Sequence, residues 1–343
     1  KEQYSISQSK YQSFNGLVGA ISKGYMTLQG SMILGLGIFL TISGLLDRTM
    51  GMVIVASVLG AKIMQPLVQM VAQWESFLNA RDAYRRLVSL LEKDKNVLKQ
   101  ASLPAPRGEI LVHNLTYATR GVNKAIVKNL SFNVNRGSTL CIIGPSGSGK
   151  TTLCKLLLGL IEPVSGTVRL DNVSIYDWDK TELGKYLGYL PQKIELFDGT
   201  VAENISRFEP IDDDKLDKAV GMSRINDLIS DLPEGLVSNI GNGGTVLSGG
   251  QRQRVGIARA IYGLPSFVVF DEPNSNLDKN ANALFLELLS ELKALEITVV
   301  ISTHRMDLVN QSDLLLTLDD GEARYFGPRE KVLAAMRKHH HNR

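Results

Sequence analysis

Cysteine is scarce in this sequence, which contains only Cys141 and Cys154 among its 343 residues. Both lie in apolar stretches, so we expect two small buried side chains in a reducing compartment rather than a disulfide or a metal site. Net charge is also small, +3 at neutral pH, which argues against binding nucleic acid through bulk electrostatics. The chain begins with Lys1 rather than Met, and we expect it to be part of a longer protein.

Charged residues are absent from one long stretch, the 23 residues from Gly24 to Leu46. As a helix this stretch would be about 34 Å long, enough to cross about 30 Å of hydrocarbon. Its recurring glycines would let helices approach closely in a bilayer. A buried core helix of a soluble protein is the alternative, but such helices are usually shorter. We therefore predict a membrane span at about 24–46.

A second apolar stretch, at about 50–74, is a weaker candidate because Lys62 interrupts it. Residues 46–49 would form a tight hairpin between the two spans. Basic residues lie outside the pair on both sides, which predicts that both outer ends are cytoplasmic. They are Lys1, Lys10 and Lys23 before the pair and Arg81, Arg85 and Arg86 after it. Two spans are few for a membrane domain, so we expect further spans or obligate assembly.

The sequence changes character near residue 100. A helix continues to about residue 92, and the charged, proline-containing residues 93–107 read as a linker. We therefore predict that residues 1–100 are the C-terminal part of a transmembrane domain with a helical linker. Residues 108–337 would be a nucleotide-binding domain.

Strand-like and helix-like segments alternate in this second domain, which favours a mainly parallel sheet covered on both faces. A mostly helical, amphipathic region from about 199 to 263 interrupts the alternation. The predicted strands are Ile110–Tyr117, Ala125–Val134, Ser138–Ile143, Ser165–Leu170, Tyr186–Leu190, Phe267–Phe270, Thr298–Ser302 and Leu314–Leu318.

A glycine-rich loop, Gly144–Thr151, has the G-x-x-x-x-G-K-T spacing of a phosphate-binding loop, or Walker A motif. A strand precedes it and an apolar helix follows it, which a chance Gly/Ser loop would not require. The glycines allow backbone N–H groups to point inward, and the helix N-terminus favours negative charge. Lys150 should reach the β- and γ-phosphates of ATP, and the Thr151 hydroxyl should bind Mg²⁺. The predicted nucleotide contacts are Gly144, Pro145, Ser146, Gly147, Ser148, Gly149, Lys150, Thr151 and Thr152.

Two carboxylates, Asp271 and Glu272, end a strongly apolar strand. In a parallel sheet this places them at the carboxyl edge, where ligands of such folds bind. Asp271 fits the magnesium side of a phosphate site, and Glu272 fits the group that orients or deprotonates the attacking water. A solvated loop pair is the alternative, and the phosphate-binding loop makes it less favourable.

Another glycine-rich segment, Leu247–Gln251, opens a helix and could present hydroxyl and N–H groups to a phosphate. Glycine-rich helix starts are common, so this segment alone is a moderate signal. Together with other motifs it resembles the signature of ATP-binding cassette (ABC) transporters. Those motifs, in the order and spacing of that family, are Gly144–Thr151, Gln192, Leu247–Gln251, Asp271-Glu272, Ser275-Asn276-Leu277-Asp278 and His304.

The resemblance covers the chain from about residue 108 to its end, and the apolar hairpin ahead is similar to the last two spans of an exporter half-transporter. It implies an α-helical transmembrane segment pair, an incomplete ABC exporter membrane domain, followed by an α/β P-loop ATPase domain with a helical subdomain. It also implies that Glu272, His304 and Lys150 are catalytic. Mg²⁺ would be held by Thr151, Gln192 and Asp271. Tyr117 would stack on adenine, although a strand-end aromatic that packs locally would look the same.

The resemblance further implies a dimer, because the chain has one phosphate-binding loop and one signature. Ser248, Gly249, Gly250 and Gln251 would contact the γ-phosphate of ATP bound to a second half-transporter. Asp278 would communicate across this dimer. We expect a homodimer, or a heterodimer with a similar half, that encloses two ATP molecules with Mg²⁺.

One motif differs from the common exporter sequence and indicates a particular branch of the family. Residues 271–278 read D-E-P-N-S-N-L-D, where many exporters read D-E-A-T-S-A-L-D. This variant and residues 74–87 are similar to the permease/ATPase of type I protein secretion, of the alkaline-protease kind. That family implies export of unfolded proteins, such as proteases, across the bacterial inner membrane, with the ATPase domain in the cytoplasm. It also implies a periplasmic adaptor (membrane fusion protein) and an outer-membrane channel as partners.

Two other functions compete with this interpretation. An exporter of lipid, drug or peptide would have the same ATP chemistry. A soluble cassette ATPase acting on nucleic acid or ribosomes belongs to another class, whose repair and chromosome members insert long coiled coils between loop and signature. Here Leu247 follows Lys150 by only 97 residues, and the 24–46 stretch also disfavours that class.

Overall fold

The computed structural model describes residues 23–44, 50–95, 103–119, 124–274 and 279–341. The chain divides into two compact units, Lys1–Leu98 and Lys99–Arg343, and each is described by itself.

The first unit contains two long helices, α1 (Lys23–Ile42) and α2 (Met50–Lys95). Among the described residues, α1 is the one helix long and apolar enough to cross a membrane. The second predicted span, 50–74, does not reach this standard, because the uninterrupted apolar part of α2 is only Gly51–Gly60. Beyond it the helix carries Lys62 and Pro66. The predicted hairpin at 46–49 lies outside the described residues.

Glycine allows α1 and α2 to pack closely at two points. A Cβ added to Gly37 would overlap the Val53 side chain. A Cβ added to Gly60 would lie 3.1 Å from Ile33 Cδ1 and 3.2 Å from Gln29 Nε2. Small residues at such crossings let helix backbones approach, as in membrane helix pairs.

The second unit is built on two sheets. Its strands are β1 (Ile110–Ala118), β2 (Ala125–Val134), β3 (Thr139–Ile143), β4 (Ser165–Leu170), β5 (Val173–Ser174), β6 (Leu187–Leu190), β7 (Phe267–Asp271), β8 (Thr298–Ser302), β9 (Leu314–Asp319) and β10 (Glu322–Pro328). Its helices are α3 (Lys150–Leu157), α4 (Lys180–Gly184), α5 (Val201–Ile205), α6 (Asp213–Ser223), α7 (Asn226–Asp231), α8 (Gly249–Ile261), α9 (Lys279–Ala294), α10 (Met306–Gln311) and α11 (Arg329–His341).

The larger sheet has the order β10-β9-β3-β8-β7-β6, and every pair in it is parallel except β10 with β9. All eight predicted strands are present, with ends within one residue of those expected. The expectation of one mainly parallel sheet was wrong for three of them. Strands β1, β2 and β4 join β5 in a separate antiparallel sheet of order β2-β1-β4-β5. For β1 and β2 the reason is their short connection, which permits antiparallel pairing, whereas parallel neighbours need a longer crossover.

The side-chain alternation of β7 shows how the large sheet is covered on both faces. Phe267 and Val269 pack into a cluster that also holds residues of α3 and of the antiparallel sheet. Val268 and Phe270 point the other way, into a cluster formed with the helices between residues 201 and 292. Because successive strand residues face opposite sides, one five-residue strand contributes to both cores.

Both cysteines are buried and neither forms a disulfide. Burial raises the pKa of the Cys141 thiol to about 12. Burial also raises the pKa of the Cys154 thiol well above its ordinary range, and the nearby Asp271 carboxylate adds to the effect. A thiol with a raised pKa stays protonated at neutral pH, so both side chains act as small apolar groups.

We predict that Gly188→Ala destabilises the second unit by about 1–3 kcal/mol, the usual effect of overpacking. Gly188 lies on β6, and a Cβ there would overlap the backbone oxygen of Ala260 in α8. Chemical unfolding followed by fluorescence would measure the change. Gly184→Ala is the matched control, because no atom lies within 4 Å of a Cβ at Gly184. Equal stability of the two variants would contradict the close packing of β6 on α8.

Candidate functional site

Four neighbouring parallel strands, β3, β8, β7 and β6, end at the same edge of the large sheet. Ile142 and Asp271 both pair with Ser302, so the strand ends are level with one another. The segments that follow these strands are therefore adjacent in space although distant in sequence. They carry the phosphate-binding loop, His304, the Asp271-Glu272 pair and Gln192, in that order across the sheet.

At two positions of the phosphate-binding loop, neighbouring backbone atoms leave no space for a Cβ atom, so glycine is required. A Cβ on Gly144 would overlap the backbone oxygen of Leu318. Gly149 has a φ of +100°, a left-handed conformation, and its Cβ would lie 2.8 Å from the Ile126 oxygen. Gly149 is also the residue from which α3 begins. The conformation of the loop thus depends on contacts with β9 and β2 as well as on its own sequence.

Two side chains of the loop, Lys150 and Ser148, are buried. The Lys150 ammonium donates hydrogen bonds to the backbone oxygens of Gly144, at 2.8 Å, and Pro145, at 3.1 Å. The Ser148 hydroxyl has no hydrogen-bond partner in the part of the chain that the structure describes. Buried polar groups are normally hydrogen-bonded. A buried ammonium and a free hydroxyl beside a helix N-terminus fit the oxygens of a phosphate group.

The remaining residues of the loop are more open to solvent. Pro145, Ser146 and Gly147 are exposed, whereas Thr151 and Thr152 are half-buried in the first turn of α3. Both threonines therefore remain accessible from one side of that turn.

Asp271 is fully buried at the end of β7. Its Oδ1 accepts a hydrogen bond from the Ser302 hydroxyl, and its Oδ2 has no partner among the described residues. A buried carboxylate oxygen without a donor is unfavourable, and a cation or a cation-bound water would satisfy it. The described residues contain no cluster of three or more His, Cys, Asp or Glu that could hold a metal. Asp271 Oδ2, unpartnered among the described residues, suits Mg²⁺ whose other ligands are phosphate oxygens and water, which is how nucleotide-bound magnesium is held.

Glu272 is half-buried and has a left-handed backbone conformation, with a φ of +52°. Its N–H donates to the Ser302 backbone oxygen at 3.0 Å and lies 3.2 Å from the Ser302 hydroxyl oxygen. Its Oε2 accepts a hydrogen bond from Gln192 Nε2 at 3.0 Å. Such a conformation is unfavourable for a non-glycine residue and persists where the surroundings hold it. Here Ser302 holds the backbone and Gln192 holds the carboxylate.

Ser302 is a residue of the site that the sequence did not reveal. Its hydroxyl contacts both members of the carboxylate pair, donating to Asp271 and accepting from Glu272 N–H. In the sequence it is only the last residue of an apolar strand, and strand-end serines are common. Its two partners lie about 30 residues earlier, on the adjacent strand β7.

The other expected residues vary in exposure. Tyr117, on β1, is half-buried and packs against the core between the two sheets, which accords with local packing and leaves part of the ring accessible. Gln192 and His304 are exposed at the sheet edge. Asp278 lies outside the described residues.

The signature segment begins α8. The Ser248 hydroxyl accepts from the Gln251 N–H at 3.2 Å, and Gln251 Oε1 accepts from the Ser248 N–H at 2.8 Å, a reciprocal helix cap. Ser248 is exposed, and Gly249 and Gly250 are half-exposed. In the described part of the chain, no hydrogen bond or ion pair connects residues 248–251 with the phosphate-binding loop. The start of α8 is therefore held in shape by its own cap, and its outer side is open to solvent.

Comparison with known proteins agrees with this geometry. The family described as ABC transporter matches residues 127–275. The type I secretion system ATP-binding protein PrsD of Rhizobium meliloti is 38% identical over 93% of this chain and 54% of its own length. The ATP-dependent lipid A-core flippase of Vibrio vulnificus is 31% identical over 76% of this chain and 45% of its own length. The chain thus spans about half the length of these relatives.

A solved structure is also similar: that of a bacterial Atm1-family ABC exporter with ATP bound. It superimposes with a TM-score of 0.77 at 25% sequence identity, over 97% of this chain and 59% of that chain.

We predict that Gly149→Ala weakens ATP binding at least about tenfold, because it adds a close contact with Ile126 O to an unfavourable φ. Titration with a fluorescent ATP analogue would measure the affinity. Gly147→Ala is the control: its φ is +79°, and no atom lies within 4 Å of its Cβ. It should have the smaller effect. Equal losses would show that backbone strain alone, and not crowding against β2, controls the loop.

Proposed function

Since residues 127–275 are an ATPase domain of the ABC transporter family, we propose that this chain uses ATP to drive type I secretion of unfolded proteins, such as proteases. A domain of this family binds and hydrolyses ATP. The observation that carries the proposal is the single sheet edge where the phosphate-binding loop, Asp271-Glu272, Gln192 and His304 meet. The 38% identity to a type I secretion system ATP-binding protein, over 93% of this chain, supports type I secretion.

We propose the following roles at that edge. Lys150 and the loop N–H groups would bind the β- and γ-phosphates, and Tyr117 would stack on the adenine. Bound Mg²⁺, held by Asp271, Thr151 and Gln192, would neutralise charge on the phosphate oxygens. Glu272 would orient and deprotonate the attacking water. His304 would contact the γ-phosphate.

Ser302 and Gln192 explain how Glu272 is placed for this role. A catalytic base must be within hydrogen-bonding reach of the water that it activates, so both its backbone and its side chain need support. Ser302 fixes the backbone N–H of Glu272, and Gln192 fixes one carboxylate oxygen at 3.0 Å. The other carboxylate oxygen is then available to a water molecule.

We predict that Glu272→Gln lowers ATP turnover at least about 100-fold, because an amide cannot act as a base. ATP affinity should change less than about threefold, since the substitution keeps the size of the side chain and its acceptor oxygen for Gln192. Steady-state phosphate release and nucleotide binding would be measured separately. The exposed Glu287→Gln on α9 is the matched control. Near-normal turnover of Glu272→Gln would reject this residue as the base.

A second copy of the chain, or a similar half-transporter, completes the site in this proposal. Residues 248–251 of one subunit would face the ATP held by the phosphate-binding loop of the other, with Asp278 at the same interface. Their exposed position at the start of α8 supports this arrangement. ATP would favour the closed dimer because it contacts both subunits only in that state, and hydrolysis would release it.

We further propose that residues 1–100 are part of a transmembrane domain in the bacterial inner membrane, with spans near 24–46 and 50–74, and that residues 108–337 are the cytoplasmic nucleotide-binding domain. The length and composition of α1 support the first span. A periplasmic adaptor and an outer-membrane channel would complete the export path.

We predict that an unfolded protein bearing a C-terminal secretion signal changes the ATPase rate of the liposome-reconstituted protein in a saturable manner. A segment bound in the membrane domain would shift the equilibrium between open and closed dimers and hence the turnover. The same protein without its signal is the control, and lipid A-type and other lipids form a separate arm. The relation to a lipid flippase, at 31% identity, makes the lipid arm necessary. A response to lipid alone would transfer the function to lipid export.

A further inference from the structure

The two residues after Glu272 are unusually constrained. Pro273 and Asn274 are both buried, although they follow the end of β7. From one side, Gln253 of α8 donates a hydrogen bond from Nε2 to the Pro273 oxygen at 2.7 Å. Gln253 is itself only 1% exposed. A fully buried amide thus joins the helix that starts with the signature to the residue next to Glu272.

From the other side, a chain of hydrogen bonds connects Asn274 with the segment after His304. Asn274 Nδ2 donates to Asn282 Oδ1, and Asn282 Nδ2 donates to Asp307 Oδ2 at 2.8 Å. Asn282 lies on α9, and Asp307 lies in the first turn of α10. Arg305, the residue after His304, forms an ion pair with Asp307 at 2.8 Å. Asp307 therefore connects the hydrogen bonds that begin at Asn274 with residues 304–305, which we call the His304 segment.

Each member of this series of hydrogen bonds has a fixed role as donor or acceptor. Asn282 uses its oxygen toward Asn274 and its nitrogen toward Asp307, so both ends of one amide are engaged. Asp307 accepts from Asn282, Arg305 and the Leu308 N–H. Replacing one member by a group of the wrong polarity would leave a buried polar atom unpaired, which is strongly unfavourable in such networks.

We propose that Gln253, Asn274, Asn282 and Asp307 are positioning residues for ATP hydrolysis. They hold residues 273–274 between the signature helix α8 and the His304 segment, so that the placement of Glu272 depends on both. The inference rests on the proposed roles of Glu272 and His304. Residues 253, 274, 282 and 307 contact neither phosphate nor water in this scheme and act only through Glu272 and His304.

The decisive test removes the donor of the hydrogen bond between Asn282 and Asp307 and then supplies a donor from the other side. Asn282→Asp places a second carboxylate against Asp307 and removes the donor between them. Asp307→Asn added to it supplies a new donor at position 307, while the carboxylate at position 282 still accepts from Asn274. The three proteins would be compared in liposomes for kcat, for KM toward ATP, and for thermal unfolding.

We expect Asn282→Asp to lower kcat roughly 10- to 100-fold, the range for a small misplacement of a catalytic group. KM for ATP should change less than about threefold, because the phosphate-binding loop is untouched. The double variant should recover part of the lost kcat, because the new donor restores the bond between positions 282 and 307, whereas the Arg305 ion pair is lost. Gln253→Leu, a separate variant of similar size, should lower kcat without changing KM and reports on the α8 side of the network independently.

Two controls separate positioning from loss of folding. Asn280→Asp makes the same change at an exposed position of the same helix and should leave kcat and KM unchanged. Glu272→Gln gives the floor of turnover. If wild-type turnover does not exceed that floor, the proposed function fails and this inference with it. If wild-type is active but Asn282→Asp and Gln253→Leu keep its kcat, only the positioning network is overturned.

The inference would also be overturned if kcat fell only in proportion to the folded fraction measured by thermal unfolding and did not recover in the double variant. Recovery of kcat in the double variant at an unchanged folded fraction would support it.

Discussion

Four parallel strands that end level with one another are the constraint on which this site depends. The pairing of β3, β8, β7 and β6 brings four segments from different parts of the chain to one edge. Backbone hydrogen bonds between strands set this register, and a shift of one residue would turn every side chain to the opposite face. The alternation of β7 between two apolar cores resists such a shift. The placement of Asp271 is therefore a consequence of core packing on both faces of the sheet.

Several charged and polar groups lie at this sheet edge, and some of their atoms have no hydrogen-bond partner among the described residues. Asp271 Oδ2 and the Ser148 hydroxyl are buried and have no partner among the described residues. Lys150 is bonded to carbonyl oxygens of its own loop. Groups of this kind reduce folding stability until a ligand of suitable charge binds. The ligand that we propose, a triphosphate with a magnesium ion, would supply the complementary set of charges.

The same edge is joined to the rest of the domain by buried side-chain hydrogen bonds. Ser302 connects the two carboxylates, Gln253 connects Pro273 to α8, and Asn282 connects Asn274 to α10. Close-packed interiors transmit strain, and we propose that a change at one of these elements affects the others.

Contiguous motifs were predictable from the sequence alone. The phosphate-binding loop, the Asp271-Glu272 pair and all eight strands followed from spacing and polarity, because glycine geometry and strand periodicity are local properties of the chain. The separate antiparallel sheet and the roles of Ser302, Gln253 and Asn282 did not follow. Their partners are 31, 20 and 25 residues away, and a serine or amide acquires such a partner only when the sheet and helices have packed. The order of amino acids was enough to identify the chemical groups of the site and the local backbone that carries them. Which of those groups lie in contact became visible only in the folded domain, because contacts between distant residues depend on strand order and packing.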